Sequence, residues 1–231
     1  MVEILEQAAA AAQRYLQGAG VRLVAPGADA LAGLASLSGD LSVSGKPSTE
    51  VLERLERVAG PATVASAGPR YFGFVTGGAL PVSLAANWLA GAWDQNAFST
   101  MSSPVGAAIE AACAPWLVDL LGLPAETACG FVTGATMANF TALAAARNEV
   151  LARVGWDVEA DGLFGAPPVT VVVGGEAHAS LLKALRLCGF GAGRVQVIPA
   201  DEQGRMRSDD LPSLDGPAIV CLQASVCRPA T

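Results

Sequence analysis

The chain holds a single histidine, His178, and only two lysines, Lys46 and Lys183. One imidazole cannot make a His-rich metal site. The five cysteines, Cys113, Cys129, Cys188, Cys221 and Cys227, are odd in number and include no C-x-x-C pair. Neither a disulfide framework nor a zinc site is therefore expected, and a reducing cytoplasm is the simplest compartment. No G-x-x-x-x-G-K stretch occurs, which leaves a P-loop nucleotidase unsupported. Basic excess is also missing: 14 Lys and Arg stand against 21 Asp and Glu, a net charge of −7. That balance argues against a nucleic-acid partner, which needs a basic face. Charged residues make up only 15% and hydrophobic ones 52%, so a disordered chain is excluded. Glycine and proline follow no period, which excludes collagen. The N-terminus carries Glu3 and Glu6 and no basic run, so no secretory signal is expected.

Long uncharged stretches are present. None of the residues between Arg70 and Asp94 is charged, and the length suffices for a bilayer. Yet Gly73, Gly77, Gly78 and Pro81 break that stretch, and Ser83 and Asn87 polarise it. Thr127 to Ala146 has the same mixed character. A buried loop and helix in a packed core is the expectation, with no membrane partner.

The 231 residues suit one large domain or two small ones. Alanine supplies about a fifth of them, a bias towards helix. Residues 3–17 place Ile4, Leu5, Ala8, Ala12, Tyr15 and Leu16 on one helical side, and Gly18 and Gly20 stop it. Residues 28–45 are small and ambiguous. A helix is expected from Ser48 and Thr49 to Gly60-Pro61. Residues 61–80 read as an extended loop with Tyr71, Phe72 and Phe74, followed by a helix at about 81–93. Ser103-Pro104 is a good cap for another helix, ending at Gly122, which Pro115 should kink or split.

From residue 129 the pattern alternates. The apolar run CGFVT (129–133) precedes a helix, TMANFTALAAARNEVLARV. Strands are expected at PVTVVVGG (168–175), RVQVIPA (194–200) and AIVCLQA (218–224), with helices at HASLLKALRLCG and SDDLPSL between them. Strand–helix–strand order with fully apolar strands means βαβ units and a parallel sheet of about four strands. The expected division is a helical arm over 1–100 and an α/β half-domain over 101–231. A sheet broken off there leaves an apolar edge, so aggregation or oligomerisation is expected for the chain alone.

Two features can carry chemistry. Gly134-Ala135-Thr136 opens the long helix, where free N–H groups and the helix dipole hold a phosphate and Thr136 adds a hydroxyl. On the residues alone an ordinary tight turn with a Thr cap is the plainer reading. His178 follows the strand VTVVVGG, at the carboxyl end where ligands collect in α/β sheets. It can stack on a flat ring, move a proton, or simply bond to nearby backbone. The run GFGAG (189–193) follows a helix and precedes a strand, the reverse of a dinucleotide fingerprint, and reads as a helix cap and turn.

These pieces in order resemble the group II pyridoxal-phosphate-dependent decarboxylases. The matching segments are PRYFGFVTGGALP (69–81), WDQN (93–96), GFVTGATMANFTALAAARN (130–148), HASLLKAL (178–185) and ADEQGRM (200–206), within residues 45–224. The resemblance implies an α/β large domain of the aspartate aminotransferase type (fold type I), incomplete, with an N-terminal helical arm. It implies pyridoxal 5'-phosphate as cofactor, an amino acid as substrate, decarboxylation as the reaction and a homodimer as the working form. Gly134, Ala135 and Thr136 then match the loop that holds the cofactor phosphate. His178 matches the histidine that stacks on the pyridine ring, the catalytic assignment. The loop around Phe74 matches a segment lining the substrate pocket. The chain departs from relatives at Gly68, where many have His, and at Pro115. After AIVCLQA it reads SVCRPAT, so the pyridine-nitrogen Asp and the His-Lys pair of relatives are missing. The expectation is a truncated, inactive relative. A non-catalytic binding or dimerisation module, and a small membrane protein built on 71–93, are the rival readings.

Overall fold

A computed structural model describes residues 2–41 and 43–223. Cys227, the tail SVCRPAT and the last residue of the expected strand 218–224 lie outside the described residues. The chain divides into two compact units, Met1–Asp94 and Gln95–Thr231.

The N-terminal unit is helical. Helix α1 (Val2–Gly18) is followed by a short α2 (Ala28–Gly33), a 3-10 turn (Leu34–Leu37) and α3 (Ser48–Ala59). The ambiguous stretch at 28–45 thus begins as one short helix. Polar links tie α1 to α3 and to the segment after it. Arg14 grips Glu56 with two bonds from Nη2, at 2.8 and 3.0 Å, and Tyr15 Oη meets Thr63 Oγ1 at 2.9 Å. Arg22 donates to Gly60 O at 2.9 Å and lies over the Tyr15 ring, 4.4 Å from its centre. Helix α4 (Pro81–Trp93) starts with Pro at its first position and ends on Asp94 in a left-handed conformation. The loop before α4 leaves Phe72 and Phe74 almost wholly exposed.

The C-terminal unit begins with α5 (Pro104–Leu120). The hydroxyl of Ser103 accepts the Gly106 N–H at 3.2 Å, as the Ser-Pro cap requires. Of the kink or split expected at Pro115, the split does not occur, because α5 runs through that residue. Ala111, four positions earlier, is exposed, so water can serve the carbonyl that Pro115 leaves without a donor. Helices α6 (Ala135–Ala152) and α7 (Val158–Asp161) follow. Then come β1 (Thr170–Gly174), α8 (Ala179–Leu187), β2 (Val195–Ile198) and β3 (Ala218–Cys221).

The sheet is parallel with order β2-β1-β3. Among the described residues it has three strands, not the expected four. CGFVT forms no strand; its residues are exposed and have no ladder partner. SDDLPSL makes a single 3-10 turn, Ser208–Asp210, because Pro212 forces Leu211 into an extended conformation. Strand β1 is central and buried. Val171 and Val173 face a core of Leu143 from α6, Ala184, Leu185 and Cys188 from α8, and Ile219 from β3. Val172, fully buried, falls on the opposite face by the two-residue period of a strand. Among the described residues no helix is long and apolar enough to cross a membrane.

Candidate functional site at the carboxyl end of the central strand

The order β2-β1-β3 means that the chain leaves β1 for one neighbour and later returns to the other. A crevice opens outside the carboxyl ends of strands at such a reversal. β1 ends at Gly174, and four residues later His178 caps α8. The Ser180 N–H donates to His178 Nδ1 at 3.2 Å, and Ser180 Oγ lies 2.8 Å from the same nitrogen. The backbone-bonded role considered from the sequence is therefore observed. It occupies one edge of the ring only. The residue is exposed, and no bond to Nε2 is found among the described residues.

Helix α6 contributes the second half. Gly134 has φ 153° and ψ 174°, a region open essentially to glycine alone. A Cβ there would meet nothing within 4 Å, so the requirement comes from the backbone conformation, and the space beside it is open. The first intrahelical bond is Ala138 N–H to Gly134 O at 3.0 Å. The N–H groups of Ala135, Thr136 and Met137 are thus free of helical partners, at the positive end of an 18-residue helix. Gly134 and Ala135 are exposed and Thr136 is half-buried.

One hydrogen bond joins the halves. Asn139, early in α6, donates from Nδ2 to Ser180 Oγ at 3.1 Å. Ser180 is buried. Farther along α6, Arg147 donates to Cys188 O at 3.0 Å, at the end of α8. The start of the Gly134 helix and the start of the His178 helix are therefore tied side by side. Reading the sequence missed Asn139 and Ser180. A Ser two residues after a capping His, and a lone amide among the apolar residues Met137, Phe140 and Leu143, were the available signals.

A cavity of about 20 Å³ lies among Gly174, Glu176, Ala200, Met206 and Cys221 at the strand ends. It has room for roughly one water, so a larger ligand must sit outside the strand ends. Burial pushes the Cys221 thiol above its ordinary value, keeping it protonated. A cavity of about 500 Å³ lies at the other end of α6 around Asn148, Trp156 and Asp157, and is lined by neither His178 nor Gly134. No cluster of metal-ligating side chains occurs among the described residues.

The donors suit a phosphate: three free N–H groups, one hydroxyl and a helix dipole, with no carboxylate on the 134–139 segment to repel it. An imidazole on the adjoining helix suits an aromatic ring.

Comparisons with known proteins bear on the family and the fold. The sequence model of the pyridoxal-dependent decarboxylase conserved domain matches residues 35–214. Tryptophan decarboxylase 1 of Oryza sativa subsp. japonica is 28% identical over 144 residues, 58% of this chain and 27% of the relative. Cysteine sulfinic acid decarboxylase of Mus musculus is 27% identical over 172 residues, 74% of this chain and 34% of the relative. The chain thus spans about a third of the length of these curated relatives. The crystal structure of mouse CSAD superposes with a TM-score of 0.78 at 24% identity, over 90% of this chain and 43% of that one. The glutamate decarboxylase domain of a Vibrio parahaemolyticus enzyme gives 0.78 at 20% identity, over 89% and 45%. The fold is therefore part of the fold type I large domain expected from the sequence.

Proposed function

Because the chain belongs to the pyridoxal-dependent decarboxylase family, we propose that residues 1–231 are the phosphate-holding, histidine-bearing part of an amino acid decarboxylase. The family's cofactor is pyridoxal phosphate, and the reaction is loss of an α-carboxylate as CO₂. Residues 1–100 act as a helical arm with a substrate-side loop, and 101–231 as the first part of the cofactor domain. The observation that carries this reading is the Asn139–Ser180 bond, which couples the open helix start at Gly134 to His178.

The free N–H groups of Ala135 and Thr136 and the Thr136 hydroxyl hold the phosphate dianion. The His178 ring offers its flat face to the pyridine ring and orients it. When bound, the cofactor supplies the electron sink for the carbanion left by CO₂. The protein's part is to hold that ring in one orientation.

We read neither lysine of this chain as the covalent anchor of the cofactor. Lys46 Nζ is paired with Glu50 Oε1 at 2.7 Å on the N-terminal unit. Lys183 is exposed on α8, one turn and more beyond His178. A chain of residues 1–231 is therefore expected to bind pyridoxal 5'-phosphate reversibly and not to decarboxylate amino acids. Equilibrium titration, borohydride reduction and peptide mapping, and CO₂ release test this together. Thr136→Val should weaken binding about tenfold, the weight of a hydrogen bond to a charged group. Absence of saturable binding overturns the reading. A reduced adduct on Lys183 with CO₂ release overturns the inactivity.

Exposed Phe72, Phe74, Met101 and Trp116 favour association with a second subunit, a homodimer by family likeness. These exposed residues on each unit also support the second reading, a non-catalytic dimerisation module, which dimerisation without cofactor binding would select. The four described cysteines are all free.

A further inference from the structure

His178 has two ring nitrogens, and which of them carries the proton decides what the ring can do. A backbone N–H can only donate. The Ser180 N–H points at Nδ1 at 3.2 Å, so Nδ1 is an acceptor there. The neutral ring then carries its proton on Nε2. Ser180 Oγ, 2.8 Å from Nδ1, also donates to it. Having given its proton away, that oxygen needs a donor of its own. Asn139 Nδ2 supplies one at 3.1 Å. The three groups form a one-way chain, from amide to hydroxyl to imidazole. Reversing the Asn139 amide would set an acceptor against Ser180 Oγ and pull its proton away from the ring. Ser180 is only 8% exposed, so water competes poorly for the hydroxyl.

We propose that Asn139 and Ser180 are positioning residues that fix His178 as its Nε2–H tautomer, making Nε2 the ring's one proton donor. Its bearing on catalysis rests on the cofactor site proposed above; the tautomer itself does not. Any proton that His178 gives at this site leaves from Nε2. The ring cannot flip about its axis without losing the α8 cap and both donors to Nδ1.

The test exploits the single histidine. Chain 1–231 labelled with ¹⁵N-histidine gives one ring, read by long-range proton–nitrogen correlation above the range where imidazole titrates. Magic-angle spinning reads the same shifts if the chain assembles into large particles. The wild type should show one pyrrole-type nitrogen at ε2 and one pyridine-type nitrogen at δ1. Ser180→Ala should lower the Nε2–H to Nδ1–H ratio about fivefold, the weight of one neutral hydrogen bond. Asn139→Leu should lower it in the same direction, and the double variant no further than Ser180→Ala, because Asn139 acts through Ser180. Ser180→Thr should restore the wild-type pattern. An averaged or Nδ1–H ring in the wild type overturns the proposal, and needs no variant to fold. So does an unchanged ratio in Ser180→Ala. Cofactor binding is titrated separately. A fixed tautomer without cofactor binding sinks the decarboxylase reading and leaves the positioning role standing. Binding with a mixed tautomer does the reverse.

Discussion

The two units are held together by different physics. Among the described residues of the N-terminal unit only Ala65 is buried, and α1 is joined at the surface to α3 by Arg14–Glu56 and to the segment after it by Tyr15–Thr63. The C-terminal unit packs three parallel strands against α6 and α8 around Val171, Val173 and Leu185. The candidate site belongs to the second kind. His178 and Gly134 are exposed, but the residues that fix them stand on elements with buried cores. The candidate site thus stands on the packed scaffold of one unit, while the other unit buries little of its helical surface.

Leu185→Ala should break this contrast most. Truncating a fully buried Leu costs about 2–5 kcal/mol. Chemical denaturation and peptide-resolved hydrogen exchange should show α8 and β1 losing protection, with α1 and α3 unchanged. Equal loss in α1 and α3 would mean that the units do not differ as described.

Alkaline pH should sharpen it. Burial raises the thiols of Cys188 and Cys221, and the N-terminal unit has no cysteine. Above about pH 8.5 the unfolded thiols ionise while the folded ones stay protonated. The unfolded state then binds fewer protons, so the C-terminal unit loses stability as pH rises. The loss is no steeper than about 1.4 kcal/mol per pH unit for each thiol. Cys188→Ala with Cys221→Ala should flatten the slope. An equal slope in the N-terminal unit would refute the assignment.

Arg14→Ala should give the smallest change. The pair is well formed but partly exposed, so a loss of about 1 kcal/mol or less is expected, confined to exchange in α1 and α3 and reduced by salt. A double-mutant cycle with Glu56→Ala measures it.

The legible parts of the chain were those written locally. The β-branched run at 170–173, the Ser103-Pro104 cap and Pro81 at the start of α4 each depend on neighbours within a few positions, and each appears where expected. Gly134 and His178 were legible for the same reason, as the first residues of helices following apolar runs. Asn139 was not, because its partner lies 41 positions away and the pairing exists only once α6 lies beside α8. The run CGFVT failed in the opposite sense. Its composition suits a strand, but a strand exists only through a neighbour's backbone, and none is beside it among the described residues.

The register of the sheet also sets how much chain each strand pairing must close. Val171 pairs with Val195, 24 positions on, and with Ile219, 48 positions on. Doubling the closed loop raises its entropic cost by only about 0.6 kcal/mol. The nearer closure also has α8 inside it, already shortening the path. β1, α8 and β2 therefore make the shorter closure, a parallel strand–helix–strand unit, and β3 pairs with the remaining edge of β1 across the longer one. His178 sits in the crossover of that shorter closure, so its cap on α8 depends on no pairing with β3.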